Sequence, residues 1–412
     1  MSETFDAAVV GGGMAGAAAA LALHRQGLSV ALIERGQPPA GWGEPGDPER
    51  VSAINEGSRR ILDELGLWSA LAAAEPGAIE TIEVTDGERA GRVLLDREEA
   101  GVAALGHVVP NRAIVGAAWQ AVRAAAGIAV RAPAGVAGME HDGGGVRLAL
   151  EGAGAGKALS ARLVVGADSE HSVIREAAGI PSRGRHHNRY AVVATVEAER
   201  DLSGRAFERF LPEGPLAFLP VGGRQASIVW TLAPTAAAEA LEWDERAFLA
   251  HLRARFGPAL GELRGVGRRA AFPLSLRLAR RFTARRTALV GNAAHLVHPV
   301  AGQGFNLGLR DVAALARETG RAAGRGWDPG NPAVLARYQR ARRADTARVV
   351  AFTEGLTGLF ANDWGPAAGL RQLGLGLVER SGPLKRALMS QAMGLGRGAP
   401  ALPAAQRGRT GP

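Results

Sequence analysis

The opening segment constrains the fold of this chain more than any other feature. Residues 6–35 read DAAVVGGGMAGAAAALALHRQGLSVALIER. The pattern predicts a strand at 7–10, a glycine-rich turn, a helix that stops at Gly27, and a second strand at 29–33. A strand, helix and second strand joined this tightly are typical of an open, mostly parallel α/β sheet.

The glycines of this turn have the spacing G-x-G-x-x-G, and each has its own physical reason. Gly11 permits the sharp turn, Gly13 lets the backbone approach a pyrophosphate, and Gly16 lets the helix lie close on the sheet. Glu34 ends the second strand, where its carboxylate can accept hydrogen bonds from both ribose hydroxyls. The unit therefore predicts a dinucleotide site, and by itself leaves FAD and NAD as alternatives.

Composition excludes several classes of function. The 412 residues predict two or three domains, and the absence of cysteine excludes disulfides, thiolate-bound iron–sulfur clusters and a thiol nucleophile. Any redox chemistry must then come from a bound cofactor, and no metal is required. Only Lys157 and Lys385 of 49 basic residues are lysine; the arginines are scattered, so the net charge of +9 does not indicate a nucleic-acid partner. No run approaches the roughly 20 apolar residues of a membrane span, and we expect a cytoplasmic chain.

Two further segments contain features of a ligand site. RVSAINEGSRRILDELGLW (50–68) has apolar residues near helical spacing and places Arg50 just ahead of a predicted helix. LVVGADSEHSVIREAAGI (163–180) predicts a strand, a turn holding Asp168, and a helix opened by Ser172. An aspartate at the carboxyl end of a strand in an open α/β sheet lies where ligands usually bind.

A third segment, TALVGNAAHLVHPVAGQGFNLGLRD (287–311), predicts a buried strand at 287–290 and a helix at 306–321. With it, the chain resembles the single-component FAD-dependent aromatic hydroxylases of the para-hydroxybenzoate hydroxylase type. The segments 104–119, 209–221 and 370–396 resemble the ubiquinone-biosynthesis branch of that family. The resemblance covers nearly the whole chain. Two positions depart from the wider family, which usually has Gly-Asp where this chain has Gly291-Asn292, and Gly where it has Ser169.

The resemblance implies that FAD is held by residues of these motifs and their neighbours. The expected FAD-binding residues are Gly11, Gly13, Met14, Ala15, Gly16, Glu34, Arg35, Arg50, Arg112, Asp168, Asn292, Gly302, Gln303, Gly304, Phe305 and Asn306. Reduced flavin is negatively charged, and free N–H groups at the start of the 306–321 helix would stabilise that charge. No catalytic side chain is assigned, and Pro299 would offer its backbone carbonyl toward the substrate. We interpret His295 and His298 as packed or capping residues.

The resemblance also implies a mixed α/β fold, in which a Rossmann-like FAD-binding domain is interleaved with a mainly antiparallel β substrate domain. Segments with strand-like patterns, separated by turn signals, occur over 190–275 and support the second domain. The expected boundaries are 1–75, 105–180 and 276–360 for the FAD-binding domain, 76–104 and 181–275 for the substrate domain, 361–396 for C-terminal helices, and 397–412 for a disordered tail.

A pocket between the two domains is the expected substrate site. Phe218, Pro220, Trp230 and Pro299 are expected to line it, although Phe218 and Trp230 fit a plain core position equally well. Such walls suit an apolar ring with a long tail, so a hydrophobic prenylated phenol is the expected substrate.

The resemblance implies that NAD(P)H or another donor reduces FAD, that oxygen then forms a flavin C4a-hydroperoxide, and that one oxygen atom passes to the phenol. Two alternatives stay open: a hydroxylase of a small soluble aromatic, and a flavin-holding scaffold of a biosynthetic complex with little turnover.

The segment SGPLKRALMSQAMG, from Ser381, predicts a helix with Leu384 and Leu388 on one face and Lys385 outside it. Such a basic amphipathic helix suits peripheral contact with the inner face of the membrane. The alternative is that this face packs on the FAD-binding domain or on a second subunit of a homo-oligomer. A complex with other ubiquinone-biosynthesis proteins is a further alternative for the partners.

Overall fold

A computed structural model describes residues 3–40, 49–87, 91–297, 302–360, 365–396 and 399–405 of the chain. The strands within them are β1 (Glu3–Val10), β2 (Val30–Ile33), β3 (Val51–Asn55), β4 (Gly77–Ile79), β5 (Thr81–Asp86), β6 (Arg92–Asp96), β7 (Gly106–Pro110), β8 (Ile128–Arg131), β9 (Ala134–His141), β10 (Val146–Gly152), β11 (Ala158–Gly166), β12 (Ser182–Ala198), β13 (Arg205–Leu211), β14 (Gly214–Gly222), β15 (Gln225–Leu232), β16 (Leu263–Val266), β17 (Ala270–Ala279), β18 (Thr283–Ala284), β19 (Thr287–Leu289) and β20 (His295–Leu296).

The α-helices within the same residues are α1 (Met14–Arg25), α2 (Glu56–Glu64), α3 (Trp68–Ala72), α4 (Arg97–Ala100), α5 (Asn111–Ala124), α6 (Val173–Ala177), α7 (Pro234–Glu242), α8 (Glu245–Phe256), α9 (Gln303–Ala323), α10 (Pro332–Phe360), α11 (Gly365–Arg380) and α12 (Gly382–Ala392). None of these helices is both long and apolar enough to cross a membrane.

The first sheet is mixed, and its central part is parallel. Its strands run in the order β18-β19-β11-β1-β2-β8, with β10 and β9 attached at β11. β1 pairs in parallel with both β2 and β11, and β11 pairs in parallel with β19. The four residues of β2 and the last four of β1 are all buried, as expected for strands covered on both faces. The sequence-based expectation of an open α/β unit is confirmed.

The second sheet is largely antiparallel. It runs in the order β20-β17-β12-β15-β14-β13-β5-β6, with β16 beside β12. The β5–β13 pair is the parallel exception. The predicted strands over 190–232 are confirmed. Residues 234–256 contain α7 and α8, whereas the sequence indicated mainly strands over 190–275 and predicted no helix there. Asp244 caps α8 by accepting a hydrogen bond from the Ala247 N–H, at 2.7 Å, which is a local helix signal.

The segment 50–68 differs from its prediction, because its first part is a strand. β3 pairs with β7 in a small sheet of order β3-β7-β4. The helix begins only at Glu56, where the side chain of Asn55 caps α2 by accepting from the Ser58 N–H at 2.9 Å. Arg50 therefore precedes a strand and not a helix. The apolar spacing was ambiguous because Val51 and Ile54 fit either structure.

The C-terminal helices turn a different face inward from the one that was predicted. Lys385 is buried and binds both Glu99, at 2.8 Å, and Glu379, at 3.3 Å, whereas Leu384 is exposed. The two carboxylates compensate the buried ammonium and hold the pKa of Lys385 above its ordinary value, although burial by itself would lower it. The side chain of Gln26 donates to the carbonyl of Pro403, at 3.3 Å, so the expected disorder does not hold for residues 399–405.

Candidate functional site

The carboxyl ends of four neighbouring parallel strands meet at one edge of the first sheet. Gly11 follows β1, Glu34 follows β2, Asp168 lies two residues after β11, and Asn292 lies three residues after β19. Because these strands are adjacent and parallel, residues far apart in the sequence come together here. All four residues line one cavity. In an open α/β sheet this edge is where ligands bind.

The glycine-rich loop between β1 and α1 is held from two sides. Gly11 has a φ of +103°, and a Cβ at Gly16 would collide with the carbonyl oxygen of Gly11. The Gly12 N–H donates to the Glu34 carboxylate at 2.5 Å, and the Trp119 indole N–H donates to the Gly12 carbonyl at 2.8 Å. Trp119, on α5, was not predicted to contact this loop, although it lies in the segment 104–119, which resembles the ubiquinone-biosynthesis branch.

The Gly-Ala-Asp turn uses its aspartate to start a helix. Asp168 accepts hydrogen bonds from the Ser172 hydroxyl at 2.5 Å and from the Val173 N–H at 2.7 Å. The Ser172 hydroxyl in turn accepts from the Arg175 N–H, so Ser172 caps α6 as expected. Ser169 keeps a φ of +101°, in the region that favours glycine. The turn therefore retains a glycine-type backbone, at a cost in strain.

A buried network of charges lies behind the Gly291-Asn292 turn. One oxygen of Asp311 accepts from the Gly291 N–H at 2.9 Å and contacts His295 Nε2 at 2.6 Å; the other accepts from Arg342 Nε at 2.6 Å. Arg342 also binds Asp345, at 2.6 Å. Burial would raise the pKa of the Asp311 carboxyl, but His295 and Arg342 outweigh it and hold that pKa below its ordinary value.

His295 is therefore a packed residue, as expected. His298 and Pro299 lie outside the described residues. Asp311 closes the segment 287–311 in the sequence, and a charged residue at that point of an apolar helix was a signal that the sequence analysis did not use.

Helix α9 begins three residues earlier than the sequence indicated. Gly302, with a φ of +60°, precedes it, and Gln303 is its first residue. Gly302, Gly304 and Phe305 line the cavity, so the first turn of α9 faces it. The side chain of Asn306 instead forms hydrogen bonds within the protein: its amide donates to the carbonyls of Gly302, at 2.6 Å, and Ala53, at 2.8 Å. Gln303 is buried at the start of the helix.

The three arginines that were expected to bind FAD lie in different places. Arg50 lines the cavity and lies over the ring of Phe272, at 5.0 Å from its centroid. Arg35 also lines the cavity and binds Glu151, at 3.1 Å, on the surface. Arg112 instead binds Glu49 at 2.8 Å. Glu49 lines the cavity, whereas Arg112 is not among the lining residues.

A single cavity of about 1650 Å³ joins this edge to the second sheet. It starts at the strand ends, where Gly13, Met14 and Ala15 line it, and continues along β12, β13, β14 and β15 to the C-terminal helices. Its volume exceeds the ~300–1,000 Å³ of ordinary ligand pockets, so it has room for a cofactor and a second molecule.

The side of the second sheet that faces the cavity was predicted wrongly. Phe218 and Trp230 lie on the opposite face, buried against α7 and α8, where Phe218 packs on Phe256 at 4.0 Å between ring centroids and Trp230 on Phe248 at 6.0 Å. Pro220 is buried and is not among the lining residues either. Because strand side chains alternate, the neighbours Ala217, Leu219, Val229 and Thr231 line the cavity instead.

The carboxyl ends of β1, β2, β11 and β19, together with the first turn of α9, form the strand-end region of the cavity. This region has the shape and donors that a dinucleotide needs. A Cβ added at Gly13 or Gly304 would meet no protein atom within 4 Å, so the backbone at both positions is open to the cavity. The Glu34 carboxylate lies at the end of β2, where a ribose can reach it. FAD would be held here by the glycine-rich loop, Glu34 and the first turn of α9. In the described parts of the chain, no group of three or more His, Asp or Glu residues could hold a metal ion.

Comparisons with known proteins agree with this geometry. The model of the FAD binding domain family matches residues 4–353. Ubiquinone hydroxylase UbiL of Rhodospirillum rubrum is 42% identical over 403 residues, which are 98% of this chain and 92% of that protein. The 3-demethoxyubiquinol 3-hydroxylase of Escherichia coli is 34% identical, over 96% of this chain and 100% of that protein. Human ubiquinone biosynthesis monooxygenase COQ6 is 29% identical, over 94% and 92%.

Solved structures share the fold at low sequence identity. The p-nitrophenol 4-monooxygenase PnpA of Pseudomonas putida DLL-E4 superposes with a TM-score of 0.78 at 20% identity, over 96% of this chain and 99% of that one. PqsL of Pseudomonas aeruginosa, described as a probable FAD-dependent monooxygenase, superposes with a TM-score of 0.74 at 22% identity, over 91% and 100%. The mixed α/β architecture is thus that of flavoprotein monooxygenases.

Proposed function

The chain belongs to the FAD binding domain family, and from that premise we propose that it is a monooxygenase that hydroxylates the aromatic ring of a polyprenylated phenol on the route to ubiquinone. Relatives named as ubiquinone hydroxylases or monooxygenases support this proposal, because they align over nearly the full length of the chain. Bound FAD would supply the redox and oxygen chemistry, with NAD(P)H or another donor as reductant.

One observation carries the proposal: the dinucleotide end and an apolar chamber belong to the same cavity. Val193 and Val229 line the chamber on the second sheet, and Leu375 and Met389 line it on the C-terminal helices. A ring held near the first turn of α9 can therefore extend an apolar tail toward those helices. The protein's own part is to bind and orient the ring and to exclude water from it.

A leucine-rich surface beside the chamber supports a peripheral membrane contact. Leu373 and Leu377, one helical turn apart on α11, are 72% and 61% exposed, while Leu375 and Val378 of the same helix line the cavity. Leu359 both lines the cavity and is 50% exposed, so it marks an opening. A prenyl tail could pass from the lipid surface into the chamber there.

Purified protein tests the function directly. The holoenzyme should be yellow and, with NADH or NADPH, oxygen and a short-chain prenylphenol such as 2-geranylphenol, should release a product heavier by one oxygen atom in mass spectrometry. Deletion of the gene should make a less hydroxylated quinone precursor accumulate, and the missing oxygen identifies the ring position. Normal quinone levels in the deletion strain would contradict the pathway and leave FAD binding intact.

Vesicle flotation tests the membrane contact. The double substitution Leu373→Glu and Leu377→Glu should reduce the fraction that floats with vesicles of phosphatidylethanolamine and phosphatidylglycerol. Trp327→Glu, at an exposed aromatic that is not among the lining residues, is the matched control and should float as the wild type does. Equal flotation of all three proteins would rule out these leucines as the contact.

A further inference from the structure

One carboxyl group lies in an otherwise apolar wall of the chamber. Glu208, on β13, lines the cavity, and in register it faces Ala217 on β14 and Val84 on β5. Ala217 pairs with Val229 on β15, which pairs with Val193 on β12. All five residues line the cavity, so they form one row across the second sheet, and Glu208 is the polar member of that row.

The charged residues of the neighbouring strand β5 are engaged with other partners. On β5, Glu83 binds Arg205 at 3.6 Å, and Asp86 binds Arg371 at 3.2 Å. β14 has no ionisable residue. Among the described residues, the Glu208 carboxyl has neither a hydrogen-bond donor nor a cationic partner.

The remaining ionisable lining residues belong to the strand-end region and to β12, β17 and α11. They are Glu34, Arg35, Glu49, Arg50, Asp168, Glu170, His171, His186, Arg277 and Arg371. Burial raises the pKa of the Glu208 carboxyl to about 7, and no charge among the described residues offsets that effect. The group is enclosed by protein but opens on the cavity, so it changes charge near neutral pH while facing the cavity.

We propose that Glu208 accepts the hydrogen bond of the substrate's phenolic hydroxyl and takes up its proton while the ring is oxygenated. The proposal rests on the proposed function, which supplies the phenol and the oxygen activated on bound flavin. An unpaired carboxyl in an apolar wall is the group that a hydroxyl of an otherwise apolar ligand would satisfy.

The proton balance is simple. As the ring carbon forms its bond to one oxygen atom, the O–O bond of the activated oxygen breaks and its electron pair stays on the other oxygen atom. The phenol O–H bond breaks at the same time, its proton passes to the Glu208 carboxylate, and its electron pair forms the ring carbonyl. The newly oxygenated carbon then loses its hydrogen as a proton to the second oxygen atom, which leaves at the level of water with the electrons that the reductant supplied. The ring regains aromaticity, and the proton on Glu208 returns to the phenol oxygen. Glu208 ends in the state in which it began, and a ring made electron-rich in this way is easier to oxygenate.

The first measurement needs no ligand. A carboxyl whose pKa is higher in the folded protein than the ordinary 4.5 contributes stability below pH 4.5 and loses it as the pH rises through about 7. Glu208→Gln holoenzyme should therefore melt higher than the wild type at pH 8, with the difference vanishing toward pH 4.5. Glu197→Gln, a surface carboxylate paired with Arg224 on the same sheet, is the matched control and should show no such trend. A difference between Glu208→Gln and wild type that does not depend on pH would overturn the proposal.

The second measurement tests the role toward the phenol. Binding of 2-geranylphenol to holoenzyme, followed by the change in flavin absorbance, should strengthen about tenfold or more as the pH rises through 7. The transition should be absent for Glu208→Gln and for the methyl ether 2-geranylanisole, which has no hydroxyl to donate. At pH 8 the variant should lose about 100-fold in kcat for product while it still binds FAD and still consumes reductant, so that oxygen appears as hydrogen peroxide.

The outcomes separate the two proposals. The same pH profile in Glu208→Gln and wild type, or the same profile with phenol and methyl ether, overturns the role of Glu208 and leaves the monooxygenase intact. Wild-type holoenzyme that neither binds nor hydroxylates any prenylphenol overturns the proposed function, and the role of Glu208 with it.

Discussion

The two ends of the cavity are built in opposite ways. At the strand-end region, the chain presents backbone and small residues: Gly13 and Gly304 line the cavity, and a Cβ at either position would meet no protein atom within 4 Å. At the chamber, the wall is a row of side chains such as Val193 and Val229 on a sheet whose other face is a packed core. The first end suits a cofactor that is held by close approach of the backbone, and the second suits an apolar molecule that is selected by side-chain size. Substitutions should therefore fail differently at the two ends.

The largest effect is expected at the glycine-rich loop. Gly13→Val should abolish FAD retention, because a branched side chain would fill the space that a pyrophosphate needs. The flavin absorbance of purified protein, relative to protein content, measures the result. Full occupancy in this variant would refute the placement of the pyrophosphate at Gly13. Gly143→Val, at an exposed glycine whose Cβ would also meet open space, is the control and should retain FAD.

The network behind the Gly291-Asn292 turn should give the next largest effect. Asp311→Ala removes the carboxylate that neutralises buried Arg342, and it should lower the free energy of unfolding by about 3–5 kcal/mol. Chemical denaturation measures this change. Asp63→Ala is the matched control, because Asp63 is 59% exposed in its 3.6 Å contact with Arg59, and the contact should contribute less than about 1 kcal/mol. Equal effects of the two substitutions would show that the network does not support the turn.

Adjacent side chains on β15 point to opposite faces of the sheet, so two neighbouring residues can be compared directly. Val229→Trp should fill part of the chamber and weaken binding of 2-geranylphenol, while FAD content and melting change little. Trp230→Ala should instead remove packing against α8 and cost about 3–5 kcal/mol of stability. Isothermal titration and denaturation together distinguish the two. If Trp230→Ala altered ligand binding and left stability unchanged, the assignment of the two faces would be reversed.

The smallest effect is expected at the Gly-Ala-Asp turn. Ser169→Gly should raise the free energy of unfolding by about 1 kcal/mol, because glycine adopts the φ of +101° without strain. A comparable substitution at Ser182, in β12, should destabilise instead, because glycine weakens a strand. A stability loss for Ser169→Gly would mean that the hydroxyl matters more than the backbone conformation.

Much of the strand-end region could be predicted from sequence because its signals are local. The turn at Gly11, the Ser172 cap and the strand before Gly291 each follow from a few consecutive residues. The errors arose where a short pattern fits two structures. Val51 and Ile54 suited a helix as well as a strand, and Lys385 looked like a surface residue because its partners, Glu99 and Glu379, are not visible in its own helix.

By itself, the sequence determined a dinucleotide-binding α/β unit, its glycine-rich turn, and those strands of the second sheet that lie between residues 190 and 232. Only the tertiary structure decided which face of that sheet meets the cavity, and so replaced Phe218 and Trp230 by their neighbours as lining residues. The reason is that a strand carries two alternating faces of similar hydrophobicity, and α7 and α8 cover one of them. The place of Glu208 was decided in the same way, because its row forms only when five neighbouring strands pair in register.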